Sequence, residues 1–70
     1  MNRLTAKNII EEVSKESYGN TTIAINMKSG ATRATNPDEV SLNKSGDCLT
    51  IAGEEGTKWL DVDSIEYIEI

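Results

Sequence analysis

"TTIAINMKSGATRAT", residues 21–35, decides the fold, because from here onward apolar residues recur at every second position. Ile23, Ile25 and Met27 fall on one face of an extended chain, and smaller or polar residues fall on the other. "KSGA" then turns the chain into "ATRAT", a short and weakly apolar segment suited to the edge of a sheet. The stretch therefore predicts a half-buried strand, a turn and an edge strand.

The residues before this stretch predict an amphipathic helix over residues 4–17. Five apolar side chains recur there at helical spacing: Leu4, Ala6, Ile9, Ile10 and Val13. Thr5 is placed to cap the first turn, and Gly19 is a stop signal. A helix of this length is marginal alone, so we expect it to lie on the rest of the domain.

"NPDE", residues 36–39, imitates a helix start, with Asn36 in the cap position and Pro37 in the first turn. Only one turn fits before the polar segment "NKSGD" at residues 43–47. We expect a tight turn leading into a short strand with Val40 and Leu42 inward. A short helix over residues 37–44 is the competing interpretation.

"DCLTIAG", residues 47–53, alternates with Leu49 and Ile51 on one face, and "TKWLD", residues 57–61, follows as its return strand. "GEEG", residues 53–56, is the hairpin connection between them.

In the last ten residues, "DVDSIEYIEI", the spacing of the apolar residues changes. Val62 and Ile65 are three residues apart, as on a helical turn, whereas Ile68 and Ile70 are two apart, as on a strand. One helical turn, capped by Asp63, and a closing strand would bring the three isoleucines to one core.

These elements predict one domain, residues 1–70, that is mainly β with one N-terminal helix (α+β). We expect residues 21–70 to form a small, strongly bent antiparallel barrel of five or six short strands, since closure removes exposed sheet edges. A chain of 70 residues buries only about 60% of its unfolded surface. Its core must therefore be regular, or a second chain must support it.

The pattern resembles the SH3-like small barrels and, within them, the Sm-like proteins. "IAINMKSGATRAT" is similar to that family's first strand, Gly-containing turn and second strand, and "DVDSIEYIEI" to its short helix and last strand. The resemblance covers nearly the whole chain and implies assembly into rings. Sm-like proteins contact RNA near the loop between the fourth and fifth strands, where this chain has the acidic "GEEGTKWLD".

Charge is distributed unevenly along the chain. Residues 1–46 carry six basic and five acidic side chains, and residues 47–70 carry seven acidic side chains against Lys58. The C-terminal third should repel a phosphate backbone, so nucleic acid is not the expected partner. A single cysteine and no apolar leader predict a reducing compartment, which we take to be the cytoplasm, and no membrane segment is expected.

No combination of residues predicts catalysis, a cofactor or a metal. Asp61, Asp63 and Glu66 begin like a calcium loop, but the chain ends before the glutamate that such a loop needs. Cys48 has no histidine to activate it, and we expect a small, half-buried residue there.

The aromatic residues of the C-terminal third are the main candidates for binding a protein. Trp59 and Leu60 are neighbours on a strand, so an inward Leu60 places Trp59 outside, on the side that Tyr67 also takes. The alternative is that the N-terminal helix covers both aromatic rings. We expect Ile70 to be held by the barrel or by a second subunit. The candidate partner-binding residues are Trp59, Tyr67, Ile70, Glu54, Glu55 and Asp61.

We therefore expect a non-catalytic protein-interaction module that self-associates or binds another protein, of the kind encoded by prophage or accessory genes. One alternative is an Sm-like RNA chaperone that uses Lys28, Arg33 and Lys44. The other is an acidic mimic of nucleic acid that inhibits a DNA-binding protein, with four carboxylates in place of phosphates: Asp61, Asp63, Glu66 and Glu69.

Overall fold

The computed structural model describes residues 1–15 and 22–70, with the backbone alone for residues 14 and 15. Within these ranges the chain forms one α-helix, six β-strands and two single-turn 3-10 helices. In chain order these are α1 (Arg3–Lys15), β1 (Ile23–Met27), β2 (Thr32–Thr35), the first 3-10 turn (Pro37–Glu39), β3 (Val40–Leu42), β4 (Cys48–Gly53), β5 (Gly56–Asp61), the second 3-10 turn (Val62–Ser64) and β6 (Ile65–Glu69). The prediction of a mainly β domain with one N-terminal helix is confirmed.

The strands form two antiparallel sheets of three strands each, in the orders β2–β1–β6 and β3–β4–β5. The chain crosses between the sheets twice, because the first 3-10 turn leads β2 into β3 and the second leads β5 into β6. Among the described residues no hydrogen-bonded ladder joins the two sheets. The closed barrel that the sequence predicts for residues 21–70 is thus not confirmed, and residue 21 itself lies outside the described ranges.

Both sheets contribute to a single apolar core. The buried cluster draws on β1, β3, β4, β6, the second 3-10 turn and α1, and its members are Ala6, Ile10, Ile23, Ile25, Val40, Leu49, Ile51, Val62 and Ile65. Period-two alternation correctly identifies the inward residues of β1, β3 and β4, whereas the buried Ile65 of β6 follows from its helical spacing to Val62. Leu42 and Leu60 flank Leu49 in the register and pack partly buried against the same core.

α1 packs against β3 and both 3-10 turns. Ala6, Ile10 and Val13 are its buried side chains, which fits the helical spacing in the sequence. The Met1 amino group donates hydrogen bonds to the carbonyl oxygens of Val62 and Ile65. These bonds hold the start of the helix against the second 3-10 turn.

The start of α1 differs from the prediction. The Asn2 side chain, not that of Thr5, caps the helix, because Asn2 Oδ1 accepts hydrogen bonds from the backbone N–H of Leu4 (2.8 Å) and of Thr5 (3.3 Å). The helix therefore begins at Arg3, one residue earlier than residue 4. The predicted end at residue 17 and the stop at Gly19 lie outside the described residues.

Two apolar residues that the sequence places in the core lie at the surface. Leu4 is 65% exposed and Ile70 is 56% exposed. Leu4 lies in the first turn of α1, beside the loop between β3 and β4. Ile70 follows the last residue pair of β6, Glu69 with Ala24, and is not itself part of the ladder with β1. Of the three C-terminal isoleucines only Ile65 is fully buried, and Ile68 is half-buried.

The two 3-10 turns decide between the two structures expected for residues 37–44 and show which residue caps the second turn. Residues 37–44 hold a single 3-10 turn followed by the three-residue strand β3, with Val40 buried and Leu42 half-buried, so the tight turn and short strand are confirmed. In the second turn Asp61 is the cap, since its Oδ1 accepts from the backbone N–H of Asp63 at 3.1 Å. The prediction that Asp63 caps this turn is wrong, because its own N–H needs an acceptor two residues earlier.

The predicted hairpin at "GEEG" is present between β4 and β5. Gly53 pairs with Gly56 across it, and Glu54 and Glu55 form its exposed tip. Gly56 has a φ of +122°, a conformation that a side chain would strain, so glycine is required there.

The shared core predicts a sharp difference between two leucine substitutions. We expect Leu49→Ala to cost about 2–5 kcal/mol, because it removes a fully buried side chain. Leu4→Ala is the matched control, and it should change stability by less than about 0.5 kcal/mol since Leu4 is exposed. Urea unfolding followed by circular dichroism measures both. Equal effects of the two substitutions would contradict the assignment of Leu49 to the core.

Candidate functional site

Trp59 lies on the outer face of the β3–β4–β5 sheet and is 68% exposed. It pairs with Thr50 on β4, and Thr50 pairs in turn with Ser41 on β3. Because Leu49 and Ile51 point inward, the residues next to them in β4 point outward with their partners on β5. These pairs, Cys48 with Asp61 and Ala52 with Thr57, also have short side chains. We call this surface the Trp59 face, and it consists of Ser41, Cys48, Thr50, Ala52, Thr57, Trp59 and Asp61. A single large ring thus stands on a sheet of small residues.

The Trp59 face ends at an open sheet edge. In the part of the chain that the structure describes, β5 pairs with β4 alone, so the backbone groups along its other side have no strand partner. β5 is six residues long, as long as β4 and longer than the other strands. An unpaired edge of this length is a template for a further strand.

Tyr67 lies on a different sheet from Trp59. It is 50% exposed on β6, where it pairs with Asn26 of β1 on the outer face of the β2–β1–β6 sheet. Thr32 donates a hydrogen bond to Asn26 Oδ1 (2.9 Å) in the same row. Tyr67 is outward, as the alternation predicts, and α1 buries neither aromatic ring. The two rings belong to separate sheet faces on consecutive strands.

The other predicted partner-binding residues are spread over the molecule. Ile70 lies beside α1, in a shallow groove with Thr5 and Ile9. Asp61 belongs to the Trp59 face and caps the second 3-10 turn. Glu54 and Glu55, at the hairpin tip, border a cleft of about 200 Å³ that Arg33 and Lys58 also line.

The three cations considered for RNA binding do not share a groove. Arg33 lines the cleft at the hairpin tip, Lys44 lines a groove beside α1, and Lys28 lies in the turn between β1 and β2. Lys44 is instead grouped with two helical residues, Arg3 and Lys7. The sequence analysis did not select that pair, although their spacing of four residues places them on one side of a helix.

Lys44 is carried by an ordered loop between β3 and β4. The Asp47 carboxylate accepts hydrogen bonds from the Asn43 side-chain amide and from the Ser45 hydroxyl (2.8 Å). Asn43 Oδ1 in turn accepts from the backbone N–H of Cys48 at 3.1 Å, and Gly46 closes the turn with a φ of +75°. These hydrogen bonds order the backbone of the loop that carries Lys44.

The same hydrogen bonds set the charge of Asp47. The amide of Asn43 and the hydroxyl of Ser45 lower the pKa of the Asp47 carboxyl, and the Arg3 guanidinium acts in the same direction. Asp63, in the second 3-10 turn, forms an exposed ion pair with Arg3 at 3.7 Å. Arg3 thus faces two of the chain's own carboxylates.

The described part of the chain contains a single free thiol. Cys48 is a half-buried thiol, as expected. Nowhere in residues 1–15 and 22–70 do three or more His, Cys, Asp or Glu side chains gather around a position that could hold a metal ion. No helix among these residues has the length and the apolar composition to cross a membrane.

Comparisons with known proteins return no relative: no protein-family model matches the chain, and no curated protein or solved structure matches it significantly.

The Asp47 network predicts a pH dependence that one substitution should reduce. Because the pKa of Asp47 is lowered in the folded state, its ionised form contributes stability above the unfolded pKa of about 3.9. That contribution is lost as the pH falls through the lower folded value. We expect the wild type to lose more stability on acidification than Asp47→Asn, which starts less stable at neutral pH. Urea unfolding at a series of pH values measures the difference.

Asp38→Asn is the matched control for this experiment, because Asp38 is an exposed carboxylate in the other 3-10 turn. Its acid slope should follow that of the wild type more closely than the slope of Asp47→Asn does. Parallel slopes for the wild type and Asp47→Asn would contradict the role given to the loop hydrogen bonds.

Proposed function

We propose that this protein is a non-catalytic protein-interaction module that self-associates through the Trp59 face and the adjoining edge of β5. The observation that carries the proposal is the 68% exposure of Trp59 on β5, a strand that pairs only with β4 among the described residues. Large exposed aromatic rings are frequent anchors of protein interfaces.

The Trp59 face and the β5 edge offer complementary contributions to an interface. Backbone hydrogen bonds along β5 would give register and orientation, and burial of the indole ring would give apolar contact area. The small side chains around Trp59, such as Thr50 and Ala52, let a second surface approach the ring closely. A protein surface that supplies one more strand satisfies both features.

We also propose that the fold is a small SH3-like barrel of the Sm-like kind. Its support is the path of the chain: β2 and β3 are joined by one 3-10 turn, β5 and β6 by the other, and the inward faces of both sheets enter one core. Ring assembly, which the Sm-like resemblance implies, would be one form of the proposed self-association.

The acidic residues at the margins are proposed to restrict which partners bind. Asp61 on the Trp59 face and Glu54 and Glu55 at the hairpin tip would repel nucleic acid and other acidic surfaces. Tyr67 and Ile70 are secondary contacts in this proposal, because they lie on other surfaces of the molecule. The cytoplasm is the proposed compartment, supported by the single thiol of Cys48.

Sedimentation velocity over a range of concentrations, combined with tryptophan fluorescence, tests self-association. Trp59 is the only tryptophan of the chain, so the emission reports its surroundings directly. We expect the sedimenting mass to rise with concentration and the emission to move to shorter wavelength as the ring leaves water. Trp59→Ala should shift assembly to at least about tenfold higher concentration.

Trp59→Phe is the matched control, since it retains an aromatic ring and should assemble better than Trp59→Ala. Circular dichroism of each variant checks that the fold is intact. A monomer with water-exposed Trp59 emission at every concentration would contradict self-association. Titration with short RNA and DNA forms a further arm, in which tight binding with a steep salt dependence would favour the RNA chaperone instead.

A further inference from the structure

A second surface lies between α1 and the loop that joins β3 to β4. It is a groove with a volume of about 560 Å³. We call it the basic groove, and the side chains that matter to its chemistry are Arg3, Leu4, Lys7, Glu11, Leu42 and Lys44. Trp59 and the β5 edge are not part of it, so it needs a separate explanation.

The basic groove concentrates positive charge on an acidic protein. The formal net charge of the chain is −5. The basic side chains whose positions are described are Arg3, Lys7, Lys28, Arg33, Lys44 and Lys58. Three of these six line this one groove, against the single carboxylate of Glu11.

The same groove exposes apolar side chains between its cations. Leu4 is 65% exposed at the rim, while Leu42 is half-buried and Ile10, at 8% exposure, lies at the base. Exposing a leucine to water is unfavourable, and covering it with another aliphatic side chain would recover about 25 cal/mol for each Å² removed from water. The groove therefore offers apolar contact and positive charge together.

The groove already interacts with carboxylates of the chain itself. Arg3 pairs with Asp63 at 3.7 Å, and both side chains are more than half exposed. Arg3 also lowers the pKa of Asp47. Exposed pairs of this kind are weak and exchange readily with competing anions. A carboxylate from another molecule can therefore take the place of Asp63 at little cost.

We propose that the basic groove is a docking site for an acidic, aliphatic segment of another protein. Its aliphatic side chain would pack against Leu4 and Leu42, and its Asp or Glu side chains would pair with Arg3, Lys7 and Lys44. Charge complementarity selects this occupant, because the groove is basic while most of the remaining surface is acidic. The site is independent of the Trp59 face, so the module would hold a heterologous partner whatever its own oligomeric state.

Nucleic acid and anionic membranes fit the groove less well than a peptide does. Binding of single-stranded nucleic acid relies on stacking against aromatic rings, and of the aromatic residues that the structure describes, Trp59 and Tyr67, neither lines the groove. A bilayer presents a broad negative surface, which the seven carboxylates of residues 47–70 would repel. A short segment can enter a concave groove without bringing these carboxylates close to a second large anionic surface.

Selection of a random peptide display library on the immobilised protein tests the docking site. We expect the enriched peptides to combine several Asp or Glu residues with Leu, Ile or Val. Their binding, measured by fluorescence anisotropy, should weaken by at least about tenfold in the double variant Lys7→Glu, Lys44→Glu. The double variant Lys28→Glu, Lys58→Glu carries the same change of net charge outside the groove and should weaken binding by less than about threefold.

A second measurement locates the peptide on the folded protein. Amide resonances of Leu4, Lys7 and residues 42–46 should shift when an enriched peptide is titrated, with Trp59 unaffected. The proposal is overturned by the absence of enrichment, by enriched peptides without acidic residues, or by equal weakening in both double variants. It is also overturned when short RNA or anionic phosphatidylserine vesicles bind through Lys7 and Lys44 more tightly than the peptides do. The Trp59→Ala variant should keep full peptide affinity, which separates this result from the test of self-association.

Discussion

The structure depends on one constraint: each of its two small sheets has a single apolar face, and neither can bury that face alone. Three short strands are the minimum for an independently stable sheet, and even then they need a surface to cover them. Ile23, Ile25 and Ile65 on one sheet and Leu49 and Ile51 on the other are buried in the same cluster. Every other element is placed by the need to keep these faces together.

The corners show how the chain meets this constraint. Pro37 in the first 3-10 turn and Val62 in the second are both buried, so the segments that cross between the sheets also contribute to the interior. α1 contacts both turns and adds Ala6 and Ile10 to the core. A domain of this size buries a smaller fraction of its unfolded surface than a larger one does, so the apolar residues of its turns add to a limited core.

The proposed functions follow from what this core leaves outside. Because the inward positions are used for stability, the outward row with Trp59 is available for a partner. In the first turn of α1 Ala6 faces the core, and Leu4 lies on the opposite side of the helix, exposed with its basic neighbours beside the β3–β4 loop. Two different surfaces result, one with a large aromatic ring among small side chains at a strand edge, the other basic and concave.

Local pattern predicted the strands well, because the period-two alternation directly records which side chains face the core. It identified the inward Leu49 and the outward Trp59 correctly, as well as the hairpin at residues 53–56. It misplaced Leu4, because at about 3.6 residues per turn Leu4 lies on the opposite side of α1 from Ala6 and Ile10. It misplaced Ile70 because the pairing of β6 with β1 ends one residue earlier, at Glu69.

The caps and the basic groove were harder to predict. Asn2 rather than Thr5 caps α1, because the helix begins at Arg3 and Thr5 already lies within its first turn. Lys44 was predicted with Lys28 and Arg33, whereas its neighbours in space are Arg3 and Lys7, about forty residues away in the chain. Residues this far apart in the sequence become neighbours only because α1 packs against β3.

The most direct test of the shared core is the pattern of nuclear Overhauser effects between methyl groups, recorded on a mixture of labelled and unlabelled chains to isolate contacts within one molecule. The account predicts intramolecular effects that connect the isoleucines of β1 and β6 with Leu49 and Ile51 of β4. Effects confined to each sheet, or found only between different molecules, would contradict it.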